Sequence, residues 1–154
     1  MRHFDLAEPK SLQEACTILA NEPDAKAIAG GTALLAIIKQ GLLLPKTVVN
    51  LKKISAASEI AYDSTNGLRV GALATISEIE TSHLVRRHYP ALAEACHLVA
   101  NIRIRNMATI GGNLAHADYQ SDPAVAPQTM APIVAADADV VLGSRLAGAG
   151  SAIQ

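Results

Sequence analysis

The sequence contains few aromatic residues and few cysteines. Of its 154 residues none is Trp, one is Phe and three are Tyr, so its core must be built from Ala, Leu, Ile and Val. The two cysteines, Cys16 and Cys96, lie far apart and form no Cys-x-x-Cys pair. This excludes an iron–sulfur cluster or a structural zinc site held by this chain alone. Both cysteines lie in apolar helical patterns, which favours buried small hydrophobic side chains over a redox or nucleophilic role.

An excess of charge of one sign and long apolar runs are also absent. The formal net charge is −1 and no block of like charge stands out, which argues against a nucleic-acid partner or an anionic membrane surface. No apolar run is long enough to span a bilayer, and the first residues do not have the pattern of a signal peptide. The sequence therefore predicts a globular, cytoplasmic protein that binds no nucleic acid and does not insert into a membrane.

Helix and strand patterns are present throughout, and the first of them define a lobe over residues 1–54. Ser11 and Glu14 form a capping-box pattern before an apolar helical stripe, and Thr32 can cap the next helix, which Gly41 ends. The predicted elements are a helix at 11–20, a strand at 26–29, a helix at 33–40 and a strand at 47–51.

A second lobe is predicted over residues 55–142. The Asn66-Gly67 pair predicts a hairpin turn, and Thr75 with Glu78 forms another capping box. Further helices are predicted after Ser82 and from Pro90, a helix start at Asp122, and a last strand at 138–142, whereas 101–107 has no clear period. Residues 143–154 are predicted to be a flexible tail. Together the two lobes predict an α+β fold.

Two Gly-Gly pairs follow apolar segments, and both are predicted to form turns that bind phosphate. Gly30-Gly31 ends the strand at 26–29, and Gly111-Gly112 follows Ile110. Adjacent glycines let a ligand approach the main chain, and free amides at the start of the following helix attract anions. A single Gly-Gly pair is usually only a tight turn, and neither matches the G-x-G-x-x-G or P-loop pattern. Two such turns in one small chain nevertheless predict that a diphosphate is clasped from both sides.

Polar residues after the second pair suggest a sugar or ribityl chain next to the diphosphate. His116 can reach a nearby ligand, and Asp118 and Asp122 can accept hydrogen bonds from hydroxyl groups, whereas they would repel phosphate. The alternatives are a solvated loop for Asp118 and helix capping for Asp122, which precedes Pro123.

These motifs resemble those of the FAD-binding, or medium, subunits of the xanthine dehydrogenase and carbon monoxide dehydrogenase family. The first motif is AGGTALL at 29–35, and the second, more specific one is TIGGNLAHAD at 109–118. The resemblance implies a two-lobed FAD-binding fold of the vanillyl-alcohol-oxidase/PCMH type. Tyr119 stands where the family usually has Pro, and family members continue through a further C-terminal domain. This chain is therefore expected to be a shortened member.

The resemblance also implies roles for individual residues. The first motif would wrap the FAD pyrophosphate with backbone amides, the second would close the other side, and His116, Asp118 and Asp122 would lie beside the phosphates and ribityl chain. The candidate cofactor-binding residues are Ala29, Gly30, Gly31, Thr32, Ala33, Leu34, Thr109, Gly111, Gly112, Asn113, His116, Asp118 and Asp122. No catalytic residue and no metal ligand is expected.

Three hypotheses follow for the function. The leading one is an FAD-carrying oxidoreductase subunit that receives electrons from an iron–sulfur small subunit. The ultimate source would be a molybdopterin-containing large subunit, and the final recipient an external acceptor such as NAD or a quinone. The second is a non-catalytic remnant that serves as an interaction module with weak or no flavin binding. The third is a flavoenzyme of the same fold acting on its own substrate, for which the chain has no substrate domain.

Overall fold

The first lobe is a three-stranded parallel sheet with a helix in each of its two connections. In the computed structural model, residues 3–116 and the strands at 140–142 and 151–153 are described. The strand order is β1–β3–β2, so the last strand of the lobe lies between the other two. Its elements are β1 (Asp5–Ala7), α1 (Leu12–Asn21), β2 (Lys26–Ile28), α2 (Leu34–Lys39) and β3 (Thr47–Asn50), followed by 3-10 turns at Leu51–Lys53 and Ser55–Ala57.

The central position of β3 explains where the first core lies. Val48 and Val49 point to opposite faces of this central strand and are both almost fully buried, so both faces of the sheet are covered there. Ala15 of α1 packs with Val49 and with Ile54, just beyond the sheet. Ile28 at the end of β2 is in register with Asn50, so β2 and β3 end side by side. The chain then leaves β2 directly into the first Gly-Gly pair.

The second lobe is an antiparallel hairpin packed against short helices. Its elements are β4 (Ile60–Asp63), β5 (Gly67–Val70), α3 (Ile76–Thr81), α4 (His83–His88), α5 (Pro90–His97), α6 (Ile102–Arg105) and α7 (Ile110–His116). Ile76, Ile79 and Val85 are buried at its centre, next to Cys96. Two further strands, β6 (Val140–Leu142) and β7 (Ser151–Ile153), pair antiparallel with each other.

Most of the predicted elements are present, and the α+β class is confirmed. The hairpin turns where Gly67 adopts a φ of +77°, and Asp63 accepts the backbone N–H of Thr65 at 2.8 Å. The capping box of Thr75 and Glu78 is complete, and the Ser82 hydroxyl caps α4. At Ser11 the box is only half formed, because the Glu14 carboxylate accepts from Lys10 N–H. The lobe boundary at residue 54 stays a prediction.

Some predictions fall on residues that the structure does not describe. They are the helix start at Asp122 and the sites at Asp118 and Asp122. The strand predicted at 138–142 is present as β6. Of the predicted tail, Ser151–Ile153 form β7, and its other residues lie outside the described ones. In the described part of the chain, no helix is long and apolar enough to cross a membrane.

Candidate functional site

A groove of about 550 Å³ lies between the two lobes, and both Gly-Gly motifs contribute to it. This size is within the range of small-molecule and cofactor sites. One side is the end of β2 with the segment that leads into α2. The other side comes from the segments around α6 and from α7. The lining residues are Ala27, Ile28, Ala29, Gly30, Gly31, Thr32, Ala33, Leu34, Ile37, Val99, Ala100, Ile104, Ala108, Thr109, Gly112, Asn113, Ala115 and His116.

The two glycines of the first motif are needed for different reasons. Gly31 has a φ of +75°, a backbone conformation that side-chain-bearing residues rarely adopt. Gly30 is buried against the segment before the second motif, and a Cβ there would overlap the Met107 carbonyl oxygen and lie 2.8 Å from Ala108 Cα. Gly31 therefore shapes the bend, and Gly30 lets the two lobes approach each other.

The bend is followed by a run of backbone amides on residues that line the groove. The first amide of α2 with an acceptor is that of Leu35, which donates to Gly31 carbonyl at 3.0 Å. Within the described residues, no protein acceptor is present for the N–H groups of Gly31, Thr32, Ala33 and Leu34. Adjacent backbone N–H groups without partners form an anion-binding concavity.

The helix-capping role predicted for Thr32 is wrong. Helix α2 begins at Leu34, so Ala33 occupies the capping position, and no side chain caps the helix. The positive φ of Gly31 delays the start of the helix and places Thr32 in the preceding turn. Thr32 still lines the groove.

The second Gly-Gly turn predicted from the sequence is wrong, because Gly111 and Gly112 lie inside α7. Neither has a positive φ. Gly111 donates to the Ala72 carbonyl at 2.8 Å, and its Cβ would lie 2.7 Å from that same oxygen. Gly111 is therefore a close-packing glycine between helix and loop, and it is absent from the groove lining.

The amides at the start of α7 already have acceptors in the protein. Ile110 N–H donates to Ala74 carbonyl at 3.0 Å, and Gly112 N–H donates to Thr109 Oγ1 at 3.2 Å. Asn113 N–H donates to Thr109 carbonyl at 2.9 Å. The two motifs are therefore not equivalent. Among the described residues, four consecutive amides of the first motif lack an acceptor, whereas the amides of Ile110 to Asn113 are bonded.

The structure brings most of the predicted site residues together. Those that line the groove are Ala29, Gly30, Gly31, Thr32, Ala33, Leu34, Thr109, Gly112, Asn113 and His116. Thr109 is buried, with 3% of its surface exposed, and its hydroxyl can donate as well as accept. No Asp, Glu, Lys or Arg lines the described part of the groove.

One wall of the groove was not predicted from the sequence. It is formed by Val99, Ala100, Ile104 and Ala108. Ile104 lies on α6, which Asn101 caps by accepting from Arg103 and Ile104 N–H at 3.0 and 3.1 Å. A polar cap residue before an alternating Ile-Arg pattern was a usable signal for this short helix. No sequence signal marks Val99 or Ala100 as groove residues.

Behind this wall lies an ion-pair cluster centred on Glu80. Arg105 Nε donates to Glu80 Oε2 at 2.8 Å, and both side chains are about nine-tenths buried. His97 Nδ1 lies 2.8 Å from Glu80 Oε1, so it carries the hydrogen. The His97 hydrogen bond, followed by the charge of Arg105, lowers the pKa of Glu80 against the opposing effect of burial.

The cysteines and possible metal ligands do not add a redox site to the described part of the chain. Burial, with a contribution from the Glu80 charge, raises the pKa of the Cys96 thiol to about 12, so the thiol is protonated and unreactive at neutral pH. Both cysteines are free. No group of three or more His, Cys, Asp or Glu among the described residues could hold a metal ion.

The sequence matches the family described as the FAD binding domain in molybdopterin dehydrogenase, over residues 2–148. It is 36% identical to the nicotinate dehydrogenase FAD-subunit of Eubacterium barkeri over 146 residues, which is 94% of this chain and 47% of that protein.

Solved structures of similar proteins have the same fold. Quinoline 2-oxidoreductase of Pseudomonas putida 86 superposes with a TM-score of 0.74 and 39% identity, over 77% of this chain and 41% of that chain. Carbon monoxide dehydrogenase of Hydrogenophaga pseudoflava gives 0.75 and 32%, over 79% and 42%. The chain thus spans less than half the length of each of these three relatives.

Proposed function

The chain belongs to the family of FAD-binding domains of molybdopterin dehydrogenases, and from this we propose that it carries the flavin in a molybdenum hydroxylase. In the proposed complex, electrons reach this domain from iron–sulfur clusters of a partner subunit and leave to an external acceptor such as NAD or a quinone. FAD is the cofactor that the family implies, and when bound it supplies the redox chemistry. The chain itself binds and orients the cofactor.

The observation that carries the proposal is the run of amides from Gly31 to Leu34, which line the groove and have no acceptor among the residues that the structure describes. These groups can donate hydrogen bonds to a diphosphate without any cationic side chain. The described lining contains no carboxylate that would repel the phosphates. The residues present therefore fit the diphosphate part of FAD.

The second motif has a different role in this proposal. Its amides from Ile110 to Asn113 are already bonded within the protein, so we infer that it contributes side chains and close packing instead. We assign the Thr109 hydroxyl, Asn113 and His116 to the side of the groove opposite the amides. Asp118 and Asp122 remain candidates for binding ribityl hydroxyls.

The partners in this proposal are a molybdopterin-containing large subunit and an iron–sulfur small subunit. The chain has only two cysteines, both free, so it cannot hold the clusters itself. Two unpaired thiols also fit a reducing compartment, and the proposed location is the cytoplasm.

Flavin binding by the purified chain tests the proposal. We would add excess FAD, remove unbound ligand by gel filtration, and record the visible absorbance of the protein peak. The expected result is about one FAD per chain, as one groove implies. Replacing Gly31 by Ala should weaken binding by about tenfold or more, because the strained backbone shifts the free amides.

Gly41→Ala is the matched control. Gly41 has the same φ of +75° as Gly31, and a Cβ there would meet nothing within 4 Å. Gly41→Ala should lose about 1–2 kcal/mol from the left-handed backbone and keep FAD. Gly31→Ala should lose more stability, because its Cβ would also lie 2.9 Å from Ile28 Cδ1, and it should lose FAD. A folded but colourless wild-type chain would instead support the non-catalytic interaction module.

A further inference from the structure

A buried ion pair supports the groove wall at residues 99–104, which lies opposite the first motif. Glu80 at the end of α3 and Arg105 at the end of α6 meet at 2.8 Å, with about 12% and 11% of their side chains exposed. Buried charges are costly unless paired, so removing either partner leaves the other unsatisfied. The pair connects two helices that are distant in sequence.

The same arginine fixes the backbone of the groove wall. Arg105 Nη1 donates to the Val99 carbonyl at 2.9 Å, and this bond is buried. Val99 and the neighbouring Ala100 both line the groove, as does Ile104, which precedes Arg105 in α6. The Arg105 guanidinium binds both Glu80 and the Val99 carbonyl, and Arg105 directly follows Ile104. It therefore links Glu80 to both ends of the wall at residues 99–104.

Ala100 shows that this wall is held in a conformation that the chain does not prefer. Its φ is +40°, the only positive value among the described residues other than glycine. Such a conformation is costly for an alanine and persists only where the surroundings impose it. The bond from Arg105 to the adjacent Val99 carbonyl is such a constraint.

We propose that the Glu80–Arg105 ion pair is a positioning element for FAD, which holds residues 99–104 in the shape that receives the cofactor. Neither side chain lines the groove, so both act through the wall and not by touching FAD. The inference rests on the proposed flavin site, and it adds a determinant of affinity that lies outside both Gly-Gly motifs.

The test compares Arg105→Lys with Arg69→Lys in the full chain. A lysine at position 105 would keep a charge near Glu80 but would lose the fork that also reaches Val99. Arg69 also pairs with a glutamate, Glu59, at 2.9 Å, but both are exposed and outside the groove lining. The FAD dissociation constant should rise about tenfold in Arg105→Lys, the scale of one hydrogen bond to a charged group, and stay unchanged in Arg69→Lys.

A rescue variant distinguishes a positioning role of the ion pair from a general effect on stability. Adding Ala100→Gly to Arg105→Lys lets residue 100 take a positive φ at little cost, so it should restore much of the lost FAD affinity. A merely structural role predicts lower thermal stability with an unchanged dissociation constant for the folded fraction and no rescue. Should Arg105→Lys fail to fold, Glu80→Ala, which removes the acceptor of Arg105 Nε, takes its place in the same comparison.

Amide hydrogen exchange measured without FAD tests whether the ion pair orders the groove wall, independently of whether the chain binds flavin. Exchange in the peptide covering residues 98–107 should be clearly faster in Arg105→Lys than in the wild type, with residues 12–28 unchanged. Unchanged exchange and an unchanged dissociation constant would overturn the positioning role. A wild-type chain that binds no FAD would overturn the flavin proposal, while the exchange result would still decide whether the ion pair orders the wall.

Discussion

At the scale of single residues, chemically identical groups have different roles because their surroundings differ. Gly31 is needed for its backbone angle, and Gly30 and Gly111 are needed because other backbone atoms lie where a side chain would be. Glu59 and Glu80 both pair with arginine, but only Glu80 is buried. The sequence shows the residue types, and only the packing shows which of these roles each one has.

Glu80 should make stability depend on pH in the acid range. Its pKa is lower in the folded chain than the ordinary value of 4.5, chiefly through the His97 hydrogen bond. Between these two values the unfolded chain binds more protons, so stability rises with pH there. The contribution is complete above the ordinary pKa of 4.5 and is lost as the pH falls through the folded pKa.

The variant Glu80→Gln tests whether Glu80 causes this pH dependence of stability. At about pH 7 it should lower the free energy of unfolding by about 1–3 kcal/mol, the scale of a hydrogen bond to a charged group. In urea unfolding from about pH 6 to about pH 3, it should lose less stability than the wild type. Glu59→Gln, on the exposed pair, is the control, and at about pH 7 it should lower the free energy of unfolding by less than about 1 kcal/mol. Identical slopes for wild type and Glu80→Gln would contradict the assignment.

At the scale of elements, the structure was predictable wherever the signal is local. The Thr75–Glu78 capping box, the Ser82 cap and the Asn66-Gly67 hairpin are each encoded within a few residues, and all three are confirmed. β1 was missed because its three residues gain strand geometry only by pairing with β3, which lies much later in the chain.

The second Gly-Gly pair shows why local signals also mislead. Two adjacent glycines predict a turn, but here the Ala72 and Ala74 carbonyls accept the amides at the start of α7. These contacts come from a loop that is distant in sequence, so the pattern at 109–116 cannot reveal them. The Glu80–Arg105 pair was missed for the same reason, since no spacing rule connects positions 80 and 105.

The crossing between the end of β2 and the segment before α7 should not tolerate a side chain at Gly30. In Gly30→Ala the new methyl group would overlap the Met107 carbonyl and Ala108 Cα, so the lobes must separate. We expect a loss of about 1–3 kcal/mol in unfolding free energy, together with weaker FAD binding.

Truncating Met107 provides the control for this crossing. Because the clash involves backbone atoms, Gly30→Ala combined with Met107→Ala should be no better than Gly30→Ala alone. Calorimetric melting curves of the single and double variants decide the matter. Recovery in the double variant would mean that a side chain, and not the backbone, limits the approach of the lobes.

At the scale of the whole molecule, the groove lies where the end of β2 meets the segments around α6 and α7. Each lobe has its own buried cluster, around Val49 in the first and around Ile76 and Val85 in the second. Family, fold class and cofactor could all be predicted from two motifs, and they are confirmed. The difference in free backbone donors between the two motifs could not be predicted from the sequence. It depends on which amides donate hydrogen bonds to other parts of the fold.

Backbone amide shifts in a ¹⁵N-labelled chain titrated with FAD test the central claim most directly, namely that the first motif supplies the donors for the diphosphate. The largest shifts should fall on the amides of Gly31, Thr32, Ala33 and Leu34, which have no protein acceptor among the described residues. The amides of Ile110, Gly111 and Gly112, which are already bonded, should move less. Titration with ADP should give the same order, since it shares the diphosphate. Saturable binding with its largest shifts at residues 110–112, and little change at 31–34, would contradict the account.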